Sequence, residues 1–299
     1  MTRHSEGIFI LGIISAMLCW GISWPVGKIL SAYGSPVSIA FLRYVVIFSS
    51  SLILLLVLRK DIRIKWQGLK YLLPAGICMA LYQFVFLRGL QLGFANAGGV
   101  LVTTLNPILA YSIGLLLMRR WPVKNESLGL FLGLISGAFQ LNIWVRLDNI
   151  FDYGNMYFLA GALIWAIMSK FTSKAAAYGS SLAFSLWMYL VVLIGFFILG
   201  DWHEIWEISI HGDLYFWGNM IYFGFIATTV ATSYYFYATT RIGAERASSF
   251  IFLVPVSAAL SAWIILGESI QSYTILGGVL GMLAVFIINY KKSQAKALK

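Results

Sequence analysis

The residues with most chemical potential in this 299-residue chain are three cations within or at the ends of apolar stretches: Lys28, Arg43 and Arg88. A charge at such depth is expensive unless it faces a bundle interior or water. No Asp, Glu or His occupies the centre of an apolar run to neutralise them. Two readings follow. Either the cations orient an anionic group of a small molecule, or Lys28 reaches the surface along its own stem while the arginines bond helix carbonyls or Glu268. Aromatic residues supply a second chemistry. Trp20, Tyr82, Trp165, Tyr234 and Tyr235 share apolar runs with Gln83 and Asn106, a combination suited to holding a planar or apolar molecule by stacking while a few polar groups orient it. Interfacial belts and helix packing account for most of the other aromatics.

Other chemistries find no residues to carry them. The apolar runs hold no Ser and His pair, no His-Glu-x-x-His helix and no Gly-x-x-x-x-Gly-Lys loop, so neither an enzyme nor a cofactor is expected. His203, Glu207 and His211 fall at i, i+4 and i+8. Two histidines with nearby acids make a weak metal site, and a short amphipathic interfacial helix anchored by Trp202 and Trp206 is the preferred reading. No metal is expected. Cys19 and Cys78 lie in apolar runs and read as small buried hydrophobes.

The elements that position these residues follow from composition. Hydrophobic types make up 60% of the chain against 11% charged, and mean hydropathy is +0.85, which excludes a soluble globule. Apolar runs lie near 8–30, 37–58, 69–93, 95–118, 127–143, 155–171, 181–200, 215–239, 244–267 and 273–290. Each is long enough, or nearly so, to cross a bilayer as a helix of about 20 residues. Ten spans are predicted, with nine as the alternative because the run at 127–143 is short and ends in Gln140 and Asn142. The first run is too long for a signal peptide and shows no small-residue cleavage site ahead of Trp20 and Trp24.

Charge gives the orientation. Of 21 Lys and Arg residues, all but Lys28, Arg43, Arg88 and Arg146 fall in the connections that lie on one side when ten spans alternate from the N-terminus. By the positive-inside rule that side is the cytoplasm, and both termini lie there. The net charge of +10 then needs no nucleic-acid partner. The lipid bilayer and a small-molecule substrate are the expected partners.

The two halves repeat each other. Trp20, Ala32-Tyr33-Gly34-Ser35 and Tyr44 recur as Trp165, Ala177-Tyr178-Gly179-Ser180 and Tyr189 at an offset of 145, and Pro107, Gly129 and Gly133 as Pro255, Gly277 and Gly281 at 148. Repeats of 1–147 and 148–299 are expected, the second with a basic cytoplasmic tail. Five spans per copy is an odd number, so the second copy enters from the opposite side. Such inverted repeats are the signature of secondary transporters with a midplane site. Pro25, Pro107 and Pro255 are candidate hinges or passive kinks in spans 1, 4 and 9. Gly129 with Gly133, and Gly277 with Gly281, form small-residue faces for close helix contact. The protein is expected to be a monomer, with a homodimer through these faces the alternative.

At these residues the chain resembles the ten-span drug/metabolite transporter superfamily, specifically its EamA-type exporters. The resemblance rests on Trp20-Gly21, Pro25 and Lys28, on Ser35-Pro36 and Phe41-Leu42-Arg43, on Arg241-Ile242-Gly243-Ala244-Glu245-Arg246-Ala247, on Leu253-Val254-Pro255, and on Gly267-Glu268 followed by Gly277 and Gly281. It spans about 8–290. It implies a basket of helices around a central cavity lined chiefly by spans 1, 3, 4, 6, 8 and 9, and efflux of small metabolites. One departure is plain: the family's Gly-Glu at the end of span 4 is Arg119-Arg120 here, so a mechanism needing the acid in both halves is in doubt.

The fold expected is therefore an all-α polytopic membrane protein of ten helices in two inverted five-helix repeats around a central cavity. Its expected activity is export or exchange of a small metabolite across the cytoplasmic membrane by alternating access. An amino acid or related zwitterion is the leading substrate class, ahead of an amphipathic drug or nucleoside-like solute. Lacking a buried carboxylate or His, the chain reads as a facilitator or exchanger. Proton coupling through Glu268 or Glu245, and a non-transporting membrane interaction protein, are the alternatives.

Overall fold

Serine caps and turn glycines divide the apolar sequence into helices. The computed structural model describes residues 3–145, 151–175, 177–242, 247 and 250–297, and the described residues include no strand. Four helices come first: α1 (Arg3–Ser31), α2 (Pro36–Val57), α3 (Leu69–Leu92, preceded by the 3-10 turn Trp66–Gly68) and α4 (Ala95–Leu117). Then follow α5 (Lys124–Gln140), α6 (Tyr153–Ala175), α7 (Ser181–Leu199) and the short α8 (Trp202–His211). The next apolar run is composite, with α9 (Leu214–Ile221), a π-helical stretch (Tyr222–Val230) and α10 (Ala231–Ile242) in series. A 3-10 turn (Phe250–Phe252) leads into α11 (Leu253–Leu266), and α12 (Ser272–Ala297) closes the fold.

Among the described residues, seven helices are long and apolar enough to cross a membrane: Phe9–Ser31, Pro36–Val57, Trp66–Leu92, Ala95–Leu117, Tyr153–Ala175, Ser181–Leu199 and Leu214–Ala238. Phe250–Leu266 and Ser272–Ile288 are shorter apolar helices, and α5 has 17 residues. Val57, Leu134, Ile198 and Ile264 are each more than two-thirds exposed. Apolar surface on this scale suits a lipid environment and not water.

The repeated sequence has a structural counterpart at each of these points. Ser35 caps α2 by accepting from the Ser38 N–H, and Ser180 caps α7 by accepting from the Ala183 N–H. Gly267 ends α11 at φ +69°, the left-handed C-cap that glycine adopts without steric cost. Its counterpart at offset 148 is Arg119, which ends α4 at φ +51°. The backbone turn is kept although the residue has changed. Gly243–Arg246 of the family-like segment, with Glu245, and Arg146 lie outside the described residues.

Helix packing comes in matched pairs. α2 packs on α7, α4 on α11, and α5 on α12, while α6 packs on α3 and α4 as α1 does on the π–α10 segment and α11. Glycines set the closest approaches. A side chain at Gly154 would meet the backbone of Gly93, the Cβ position lying 2.6 Å from its Cα. The faces of Gly129, Gly133, Gly277 and Gly281 are consumed inside the chain, against Ile288, Ile108, Gln140 and Ser136. Pro25 and Pro107 lie within α1 and α4 and leave the carbonyls of Gly21 and Thr103 without their helical donors. Pro255 differs from the expectation of a mid-helix break. It is the third residue of α11, a first-turn position where the N–H has no intrahelical partner to lose.

α8 is a helix as expected. Asp201 caps it through the His203 and Glu204 N–H groups, Ile205 and Ile208 are buried, and Trp202 and Trp206 are exposed. His211 pairs with Glu207 across one turn, Nδ1 to Oε2 at 3.5 Å.

Candidate functional site: a central cavity with one charge

A cavity of about 650 Å³ lies between the two halves. Its walls come from α1, α3, α4, α6, α7 and the π–α10 segment, with Arg43 and Tyr44 from α2 and Ile251 and Val254 at the start of α11. It runs from Trp24, Phe86 and Phe223 to Ser173 near the end of α6, Gly179 in the α6–α7 connection and Ser181 at the start of α7.

Seven of the nine expected pathway residues border it: Trp20, Arg43, Tyr82, Gln83, Asn106, Trp165 and Tyr235. Each aromatic pair joins one residue from either half of the sequence. Tyr82 of α3 meets Trp165 of α6 edge-on at 4.7 Å, and Tyr235 of α10 meets Trp20 of α1 at 5.2 Å. The repeat partners Tyr44 and Tyr189 meet each other at 6.0 Å. Pro107 borders the cavity as well.

Arg88 and Tyr234 do not border it. On α3 the cavity face is Met79, Tyr82, Gln83 and Phe86, a 3–4 spacing that puts Arg88 on the opposite side of the helix. Arg88 is exposed and donates to Gln91 at 2.8 Å. Tyr234 is one residue from Tyr235, about 100° around the helix, and turns toward α1, where its hydroxyl donates to the Phe9 carbonyl at 3.2 Å. Lys28 is also accounted for outside the cavity, its ammonium donating to the Gly93 carbonyl at 2.5 Å.

Among the described residues lining the cavity, Arg43 is the one charged side chain. Its guanidinium carbon sits 3.3 Å above the centre of the Phe223 ring. One terminal nitrogen donates to Gln83 Oε1 at 2.5 Å, the other to Thr228 Oγ1 at 3.0 Å. Arg43 Nε and Gln83 Nε2 are buried without an acceptor, and Gln83 is 1% exposed. The repeat partner of Arg43 at offset 145 is Met188, so the charge belongs to one half only.

The π-helical stretch is what sequence reasoning missed. It carries Phe223 and Thr228, and the hydroxyls of Thr228 and Thr229 bond carbonyls five residues back, at Phe223 and Gly224. Its apolar residues read as an ordinary span, and π turns leave no compositional mark. The Trp24–Phe86–Phe223 cluster, with ring centres 4.8 and 6.0 Å apart, was visible only as three aromatics among many.

One end of the bundle is tied shut by polar groups. Glu268 is 9% exposed and accepts from the Ala95 and Asn96 N–H groups at 2.9 and 2.8 Å, capping α4. Gln91 donates to the carbonyls of Ser31 and Gly34. Glu204 of α8 accepts from the Ser35 N–H at 2.7 Å and from the Ser35 and Ser38 hydroxyls at 2.5 Å each. Burial pushes the Glu204 carboxyl upward, but these bonds from Ser35 and Ser38 outweigh it and hold it below the ordinary carboxylate value. At the opposite end stands Arg120, at the position that offset 148 matches to Glu268. It pairs with Glu126 at 2.9 Å.

The chain matches the profile of the EamA-like transporter family twice, over residues 7–141 and 152–290. It is 26% identical to a Bacillus subtilis protein named an uncharacterised transporter, YoaV, over 96% of this chain and 98% of that one. It is 22% identical to a Salmonella typhimurium protein named a probable amino-acid metabolite efflux pump, over 96% and 95% of the two chains. One crystal structure superposes with a TM-score of 0.64 at 15% identity, covering 97% of this chain and 99% of the other, a likeness of fold. With two profile matches that together take in nearly all of its described helices, this multi-helix membrane protein belongs to the EamA-like transporter family.

Proposed function

We propose that the protein is a secondary transporter that exports or exchanges a small metabolite across the cytoplasmic membrane by alternating access, with an amino acid or related zwitterion as the leading substrate class. The observation that carries this is the cavity itself. It is about 650 Å³, the size of a small-molecule site, and it lies between aromatic pairs contributed by both halves. The name of the Salmonella relative points the same way.

In this reading ten spans form two inverted five-helix repeats, 1–147 and 148–299, with both termini in the cytoplasm. The matched packing supports it: α2–α7, α4–α11 and α5–α12 are self-paired under exchange of halves, and α3–α6, α4–α6 and α3–α7 are matched by α1 with the π–α10 segment, α1 with α11 and α2 with the π stretch. With that topology, the end tied by Glu268, Gln91 and Glu204 is the outer one. The α6–α7 connection is cytoplasmic, so the conformation described is inward-facing.

The test is efflux from proteoliposomes loaded with mixed amino acids, nucleosides and organic cations, read by mass spectrometry with and without a pH gradient. Selective, saturable loss of one class without the gradient is expected. Loss only under the gradient would replace exchange by proton coupling, and no loss of any class would overturn the transporter reading.

A further inference from the structure

Arg43 poses an electrostatic problem that the protein leaves half solved. A guanidinium facing a largely apolar cavity in the middle of a bundle is costly without a counter-charge. Its neighbours are Gln83, Thr228 and the face of Phe223, all neutral. They satisfy two of its nitrogens and spread the charge over a ring, but they do not neutralise it. Among the described residues lining the cavity none is Asp or Glu. A merely structural tie between α2, α3 and the π stretch needs no permanent charge, and it would not leave Arg43 Nε and Gln83 Nε2 buried without acceptors.

We propose that Arg43, steadied by Gln83 and Phe223, is a carboxylate site, and that the cavity takes solutes with one carboxylate and an aromatic or apolar body whether or not they also carry an ammonium. This deepens, and for transport rests on, the reading of the cavity as a substrate site. A carboxylate approaching the guanidinium side-on takes one bond from Nε and one from a terminal nitrogen, the bidentate geometry that arginine offers and lysine does not. It supplies the acceptor Nε lacks and the counter-charge the site lacks. The body of the solute then lies among Trp20, Tyr82, Trp165 and Tyr235, where stacking is tolerant of detail. An ammonium finds no carboxylate among the described residues of these walls. An amine without a carboxylate meets the field of Arg43 uncompensated and is rejected.

The probes are 3-phenylpropionate, phenylalanine and phenethylamine, which share a ring and differ in charge. Binding to the purified full-length protein is measured by isothermal calorimetry, and flux in proteoliposomes separately. 3-Phenylpropionate and phenylalanine should bind, and phenethylamine should not. Arg43→Gln should weaken both carboxylates about ten- to a hundredfold, the range of lost hydrogen bonds to a charged group. Gln83→Glu places a carboxylate beside Arg43, is expected to fold with the pair satisfied, and should abolish carboxylate binding.

Binding of phenethylamine, binding of phenylalanine alone, or carboxylate binding unchanged in Gln83→Glu would each overturn the proposal. Carboxylates that bind through Arg43 without any flux would sink the transport reading and leave the site standing. Flux of other solutes with no carboxylate binding would do the reverse.

Discussion

Single side chains fix the ends of helices here, and two of them make opposite predictions. Gly267 sits at φ +69° and its repeat partner Arg119 at φ +51°. A left-handed residue with a Cβ costs roughly 1–2 kcal/mol. Gly267→Ala should therefore destabilise by about that amount, and Arg119→Gly should stabilise by a little less, both read as thermal unfolding in detergent. Glu204 gives a pH prediction. Its carboxyl is held below the ordinary value in the folded protein, so its contribution is complete above the unfolded pKa and is lost as pH falls through the folded one. Wild-type protein should lose stability on acidification below about pH 4. Glu204→Gln should be less stable at neutral pH, by about 1 kcal/mol given its partial exposure, and should show a smaller acid loss. Equal acid sensitivity in the two proteins would refute the assignment.

At the scale of elements, the helix order was legible in the sequence, and the irregular stretches were not. The tetrapeptide that repeats at constant offset was read as a sign of duplication, and its serines, Ser35 and Ser180, prove to be the caps of α2 and α7. The inward face of α3 was legible from Tyr82 and Gln83, yet Arg88 misled, because a cation in an apolar run signals either a cavity or a membrane edge. The π stretch was invisible: its pattern depends on which carbonyls the Thr228 and Thr229 hydroxyls and backbone N–H groups select, a tertiary choice. Contact between elements is less forgiving. Gly154→Ala would drive a methyl into the Gly93 backbone and push α6 off the α3–α4 turn. A loss of about 2–3 kcal/mol is expected, at the upper range of overpacking because no flexible side chain can yield. An unchanged melting temperature would show that the helices separate freely there.

For the whole molecule, the proposed topology is tested by which side each end of the cavity meets. With Cys19 and Cys78 replaced, Ser173→Cys in the last turn of α6 should react with a membrane-impermeant thiol reagent only from the cytoplasmic side. Asp201→Cys, at the head of α8, should react only from outside. The reverse pattern would invert the orientation read from the Lys and Arg distribution.

The unmatched clasp at Glu268 reaches further. In the proposed cycle, closing the outer end makes two bonds to a buried carboxylate, whereas Arg120, at the matching position of the other half, pairs with Glu126 of its own half. Hydrogen bonds to charged groups are worth about 1.5–3 kcal/mol each, and about 1.4 kcal/mol is a tenfold change in population. Unless bonds at the inner end offset these, the empty carrier of the proposed cycle would rest mostly on one side. That imbalance leaves the final concentration ratio untouched, since a carrier cannot alter an equilibrium. It does discount the apparent affinity for solute arriving from outside by the rarity of the form that can receive it. Under the proposed alternating access, a symmetrical sequence would work as a revolving door and this one as a door with a closing spring, ready for what accumulates within the cell and slow to admit what waits beyond it.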